Sequence, residues 1–239
     1  MSEQNSVEGN STTMPIMAHL EELRQRLIKA AVALLITTAI SFVFAEQIIE
    51  ILKQPMGEAR LVFLKPTDSI ANFMKVSLIS GATMAMPVMV YQFFRFIAPG
   101  LSKQEKRYLL LIAPGATVSF LIGAAFAYFI MLPAAVTFLY GFLQDVADPF
   151  WSLDTYLSLI TRMIFWVGMS FETPLIIFFL AKLGIISAET LARNRKYALV
   201  VVAIISAVVT PTPDPVNMAL VMLPLAVLYE VAIFLARLA

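Results

Sequence analysis

Glu172 lies in the stretch Gly168-Met-Ser-Phe-Glu-Thr-Pro174, inside an otherwise apolar run from Tyr156 to Leu183. A charged side chain near the centre of a membrane costs at least ~2.5 kcal/mol, so an acid kept there normally faces a bundle interior or a wet cavity and marks a functional site. It could accept a hydrogen bond from a polar residue of an inserted helix on a concave face, or it could carry a proton. The plainer alternative is a neutral, hydrogen-bonded glutamic acid beside the helix break at Pro174. Arg162 stands ten residues earlier, about 15 Å along a helix, too far to pair with it. Two more acids sit in polar stretches. Glu22 and Arg26 form an i, i+4 pair in His19-Leu-Glu-Glu-Leu-Arg-Gln-Arg-Leu27, worth ~0.3–0.5 kcal/mol as an ordinary surface pair. Glu105 closes Ser102-Lys-Gln-Glu105, an S-x-x-E capping box whose acid satisfies an orphan helix amide.

These acids need elements to position them, and the composition says that the elements lie in lipid. Of 239 residues, 60% are hydrophobic and 14% charged, with a mean hydropathy of +0.84, well above the ~45–50% apolar content of soluble domains. The chain reads as an all-α polytopic membrane protein. It has no cysteine and one histidine, His19, so neither a disulfide framework nor a thiolate or multi-histidine metal site is expected, and no cofactor. A net charge of +1 gives no reason to expect nucleic acid. No nucleophile and base stand together, which argues against an intramembrane enzyme.

Six apolar segments are legible: Leu27–Ala45, Ile70–Ile97, Leu109–Phe142, Tyr156–Leu183, and two shorter ones at about Ala198–Val209 and Met218–Ala236. A span needs ~20 residues at 1.5 Å each to cross ~30 Å of hydrocarbon, so the fifth requires polar extensions or local bilayer thinning. The prolines of Thr210-Pro-Thr-Pro-Asp-Pro215 leave room for a tight turn and make the last two segments a hairpin. Lysine and arginine collect before the first segment (Arg24, Arg26, Lys29), between the second and third (Lys103, Lys106, Arg107), between the fourth and fifth (Lys182, Arg193, Arg195, Lys196) and after the sixth (Arg237). The positive-inside rule then predicts six transmembrane helices with both termini cytoplasmic.

Residues 1–15 read as a disordered cytoplasmic tail and 16–239 as a single transmembrane domain. The first apolar stretch exceeds the ~7–15 residues of a signal-peptide core, so cleavage is not expected. In the first outer loop a helix is expected over Glu46–Lys53, broken by Pro55 and Gly57, followed by an apolar cap at Leu61–Leu64. Asp68 is placed to N-cap the second span. Pro87, Pro114, Pro133, Pro174 and Pro224 fall inside or near the ends of spans, which predicts a kinked, concave bundle with short fifth and sixth helices.

Several stretches together resemble the TatC family, the multispanning subunit of the twin-arginine protein translocase. They are His19-Leu-Glu-Glu-Leu-Arg24, the Pro55 region, Tyr91-Gln-Phe-Phe-Arg-Phe-Ile-Ala-Pro-Gly-Leu101, Glu105-Lys-Arg107, Ala125-Phe-Ala-Tyr-Phe129, Ser170-Phe-Glu-Thr-Pro174 and Thr210 to Asp214. The resemblance implies a receptor for signal peptides bearing paired arginines, exporting folded proteins across the inner membrane at the expense of the proton motive force. Arginine is always ionised and its planar fork suits carboxylates, so two adjacent arginines call for two fixed acids. By motif these are Glu22 and Glu105, with Arg24 on the same surface in a positioning role. Glu172 and Asp214 are the expected intramembrane polar residues for partner docking. The implied partners are TatA- and TatB-like single-span proteins, membrane lipid and further copies of the chain. A proton-coupled secondary transporter using Glu172 as its proton site is the alternative, although the inverted repeats common in such proteins are not evident.

Overall fold

The computed structural model describes residues 16–57, 60–97, 103–142, 150–210 and 214–239, with Ile16 and residues 103–113 described as backbone only. The expected tail at 1–15 lies outside the described residues. Helix α1 (Ile16–Val43) runs along α3 (Asp68–Ile97). Their close approach rests on Gly81: a Cβ there would lie 2.5 Å from the Thr38 Cα. Thr37 Oγ1 also donates to the Gly81 carbonyl at 2.7 Å. In lipid, helices gain little from burying apolar surface against one another, so small residues that let backbones approach supply the contact.

The segment between the first two apolar stretches carries the expected helix and its break. Helix α2 (Ala45–Lys53) passes into a 3-10 turn at Gln54–Met56 that starts around Pro55 and ends at Gly57, whose φ of +65° favours glycine. Strand β1 (Leu61–Val62) pairs in parallel with β2 (Trp151–Ser152), fastening this loop to the helix that begins at Leu153. Asp68 departs from expectation. It is the first residue of α3, and its Oδ2 accepts from the amides of Leu64 and Lys65 at 3.0 and 2.9 Å, so it closes the preceding loop instead of capping α3.

The third apolar segment is α4 (Lys103–Phe126), a π turn at Ala127–Met131, and α5 (Leu132–Gly141). Pro133 cannot donate to the carbonyl four residues back and its ring crowds that group, so the wider turn before it relieves the conflict. The fourth segment divides into α6 (Leu153–Ser170), whose first turn is capped by the Ser152 hydroxyl, and α7 (Thr173–Lys182). After α8 (Ala188–Arg193) come α9 (Arg195–Val209) and α10 (Pro215–Arg237), which pack together.

Among the described residues, five stretches are long and apolar enough to cross a membrane: Met17–Val43, Asp68–Ile97, Pro114–Gly141, Leu153–Lys182 and Pro215–Arg237. Helix α9 has fifteen residues, about 22 Å of rise, short of a ~30 Å hydrocarbon layer. One apolar cluster, including Val76, Leu132, Tyr156, Ile160 and Met163, joins α3, α5 and α6; a second, with Phe94, Phe120 and Phe179, joins α3, α4 and α7. Contacts fix the two ends of the molecule. His19 stacks on Phe96, Phe94 meets Phe179, Lys182 donates to the Ala239 carbonyl, and Arg195 pairs with Glu230. The start of α1 and the ends of α3, α7 and α10 therefore share the basic end. Tyr156 hydroxyl to the Leu52 carbonyl (3.0 Å), Lys75 with Asp154, and the β1–β2 pair mark the other.

Candidate functional site

At the basic end, the leucines of α1 recur at helical spacing, which turns the polar face carrying Glu22 and Arg26 toward α3. Arg26 Nη2 donates to Glu22 Oε1 at 3.1 Å, and Nη1 donates to Gln92 Oε1 of α3 at 3.4 Å. The two charged side chains are only 18% and 19% exposed, so this pair is not the open surface contact that its spacing alone would give. Arg26 Nε is buried without a partner. Arg24 points elsewhere: it pairs with Glu21 at 2.6 Å and is 69% exposed. The structure thus brings Glu22, Arg26 and Gln92 together and leaves Arg24 in solvent. The backbone of Glu105 lies in the first turn of α4; its side chain is outside the described residues. Gln92 was not legible as a site residue, because nothing local says which residue of α3 faces α1.

Glu172 stands at the junction of α6 and α7. Pro174 has no amide to donate to Ser170, so the helix restarts, with Glu172 as the residue preceding α7 and its carbonyl accepting from the Ile176 amide at 2.9 Å. Its side chain makes no capping bond, is 6% exposed, and Oε1 is buried without a partner. The acid is buried at the break between α6 and α7. Its flanking residues Ser170 and Thr173 line an apolar groove shared with Val201, Ile205 and Tyr229 of α9 and α10. Two glycines seat the break against α4. A Cβ at Gly123 would lie 2.7 Å from the Phe171 ring, and one at Gly168 would lie 2.9 Å from Phe120.

Asp214 caps α10. Its Oδ1 accepts from the Asn217 amide at 2.7 Å and its Oδ2 from Asn217 Nδ2 at 2.9 Å. Its visible work is therefore the start of the last helix. Lys75 of α3 is a second charge inside an apolar segment. Its Nζ meets Asp154 Oδ1 at 2.5 Å and the Ser158 hydroxyl at 2.8 Å, tying α3 to α6.

The chain is similar to known proteins over nearly its whole length. The family model described as Sec-independent protein translocase protein (TatC) matches residues 18–224. The Sec-independent protein translocase protein TatC of Aquifex aeolicus is 42% identical over 232 residues, covering 95% of this chain and 96% of that one. Its namesake in Carboxydothermus hydrogenoformans is 36% identical over 226 residues, with 94% and 93% covered. A crystal structure described as the twin arginine translocase receptor TatC superposes with a TM-score of 0.84 at 42% identity, covering 92% of this chain and 98% of that one. A second such structure, in the detergent DDM, gives 0.85, with 91% and 99% covered. The five apolar helices and the match along the whole fold make this a multi-pass membrane protein, and the chain belongs to the TatC family of Sec-independent protein translocase components.

Proposed function

We propose that this protein is the signal-peptide receptor of a twin-arginine translocase in the inner membrane, with six crossings and both termini cytoplasmic. The observation that carries the reading is the shielded carboxylate of Glu22, paired with Arg26, which in turn donates to Gln92 of α3. A fixed, partly desolvated acid suits an arginine fork better than a solvated one, because a preformed geometry lowers the ordering cost of a bidentate contact. Glu105, in the first turn of α4, supplies the second acid, and Arg24, paired with Glu21 on the exposed side of α1, has a positioning role. Glu172, with an acceptor oxygen lacking a partner, meets a polar side chain of an inserted single-span helix of the TatA or TatB kind; Asp214 holds the hairpin against which such a helix would lie. The proton motive force drives transport, and several copies assemble in the receptor complex. The proton-coupled transporter reading is not favoured, since the relatives are named as protein translocase components.

The test is photo-cross-linking of a twin-arginine peptide and of its twin-lysine variant to membranes holding the wild-type chain, Glu22→Gln, Glu105→Gln or both. The expected result is strong labelling by the arginine peptide alone, loss in the double variant, and unchanged insertion of the protein. Equal labelling of the double variant overturns the reading.

A further inference from the structure

Arg162 presents a charge that nothing among the described residues answers. Along α6, Tyr156, Leu157, Leu159, Ile160, Thr161, Met163, Val167 and Gly168 are buried, whereas Thr155, Arg162 and Trp166 are exposed. The spacings of seven and four place these three on one helical face. Arg162 is nine residues past Leu153, about 13.5 Å into the helix. Leu153 follows directly on Trp151 and the exposed Phe150, aromatic residues of the kind that lie at the membrane interface. The guanidinium makes no hydrogen bond or ion pair among the described residues. The nearest carboxylate on this face, Asp154, is two turns above it and is already engaged by Lys75. Lys75 also holds Ser158, one turn above Arg162. The face therefore carries two cations and one acid, with the unmatched cation deepest.

A guanidinium exposed at this depth is costly in hydrocarbon, and the cost falls when the side chain snorkels toward the interface or the bilayer thins to meet it. We propose that Arg162, with Lys75 about one turn above it at Ser158, binds the phosphate group of a phospholipid in the leaflet at the Trp151 end, drawn down along the Thr155–Arg162 face of α6. The chemistry matches. A phosphate diester presents two anionic oxygens to the planar fork, and the second cation adds attraction from above. Free phosphate shares that chemistry but cannot enter hydrocarbon, whereas a lipid phosphate begins at the interface and has only to sink with its chains still in the bilayer. A carboxylate on a partner helix is the competing occupant; the face favours lipid because Arg162 is exposed and, above it, Thr155 and Leu159 line a groove with Phe150 and Trp151 at the interface end. The bound lipid would thin the membrane locally on this side of α6, an effect in keeping with the short α9.

The experiment counts phospholipids retained by the purified full-length chain in native mass spectrometry, after reconstitution into phosphatidylglycerol or into a phosphate-free glycolipid. Wild type should retain one phospholipid that Arg162→Gln loses, a weakening of at least about tenfold, with Arg162→Lys in between. The glycolipid should not be retained, and inorganic phosphate should not displace the lipid. Thermal stability in glycolipid, equal for the three chains, excludes unfolding as the cause. If Arg162→Gln destabilises the chain, Arg162→Lys alone must still show reduced retention. Equal phospholipid retention by wild type and both variants overturns the proposal. So does displacement by inorganic phosphate, and so does unchanged retention with lost binding of a single-span partner, which would assign the charge to a protein carboxylate. None of these readouts involves the signal peptide, so the proposed receptor role stands or falls separately.

Discussion

Replacing Gly81 by alanine is the sharpest probe of how the fold holds the site. The added methyl would lie 2.5 Å from the Thr38 Cα and 2.8 Å from its amide nitrogen, so the backbone of α1 itself must move. Overpacking costs ~1–3 kcal/mol, and a clash with backbone belongs at the upper part of that range because no side chain can rotate away. Displacing α1 also loosens the Thr37 hydrogen bond to the Gly81 carbonyl, worth ~0.6 kcal/mol by the average for membrane proteins. The sum is about 3 kcal/mol, roughly a hundredfold in the folded population. Gly141→Ala is the control, since nothing lies within 4 Å of its added Cβ and alanine is the better helix former. Reversible unfolding of both variants in one detergent should show a large loss for Gly81→Ala and none for Gly141→Ala. Because α1 carries Glu22 and Arg26 while α3 carries Gln92, Gly81→Ala should also weaken twin-arginine peptide binding under conditions where the protein remains folded. Equal stability of the two variants would refute the close-packing argument.

Asp214→Ala removes the cap of α10 and both bonds to Asn217; a loss of about 1 kcal/mol is expected in the same unfolding assay, with Asp214→Asn milder. Lys75→Met should destabilise by about 1 kcal/mol, discounted because the pair is 32% and 44% exposed. The Lys75→Met, Asp154→Leu double variant should recover part of that loss, and a double-mutant cycle with no coupling would contradict the pair. Glu189, at the start of α8, is held below the ordinary carboxylate range by its own amide and by the Ser187 hydroxyl. A depressed folded pKa contributes stability above the unfolded value of 4.5, lost as pH falls through the lowered one. Glu189→Gln should therefore flatten the acid limb of the pH–stability curve slightly, and an unchanged limb would show that those hydrogen bonds do not persist in solution.

The sequence by itself determined what depends on local chemistry and on the solvent. Apolar length marked where helices lie in lipid, Pro55 with Gly57 set the end of α2, and Pro174 located the break beside Glu172, because a missing amide acts wherever the chain goes. The i, i+4 spacing of Glu22 and Arg26 was enough to expect their pair. What the tertiary structure decided depends on which faces meet. Gln92 joined that pair only because Gly81 lets α1 lie against α3, and nothing in the local pattern of α3 distinguishes residue 92 from its neighbours. Asp68 carried a helix-capping residue type, yet its carboxylate reached back to Leu64 and Lys65, since a side chain with two competing sets of amides goes to the set that the loop leaves unpaired. Glu172 was legible as costly and its position at the break as forced, but its burial was set by the seating of Phe171 over Gly123. That contact joins residues 48 positions apart, and a long-range contact of this kind is specified by packing, which periodicity and propensity do not encode.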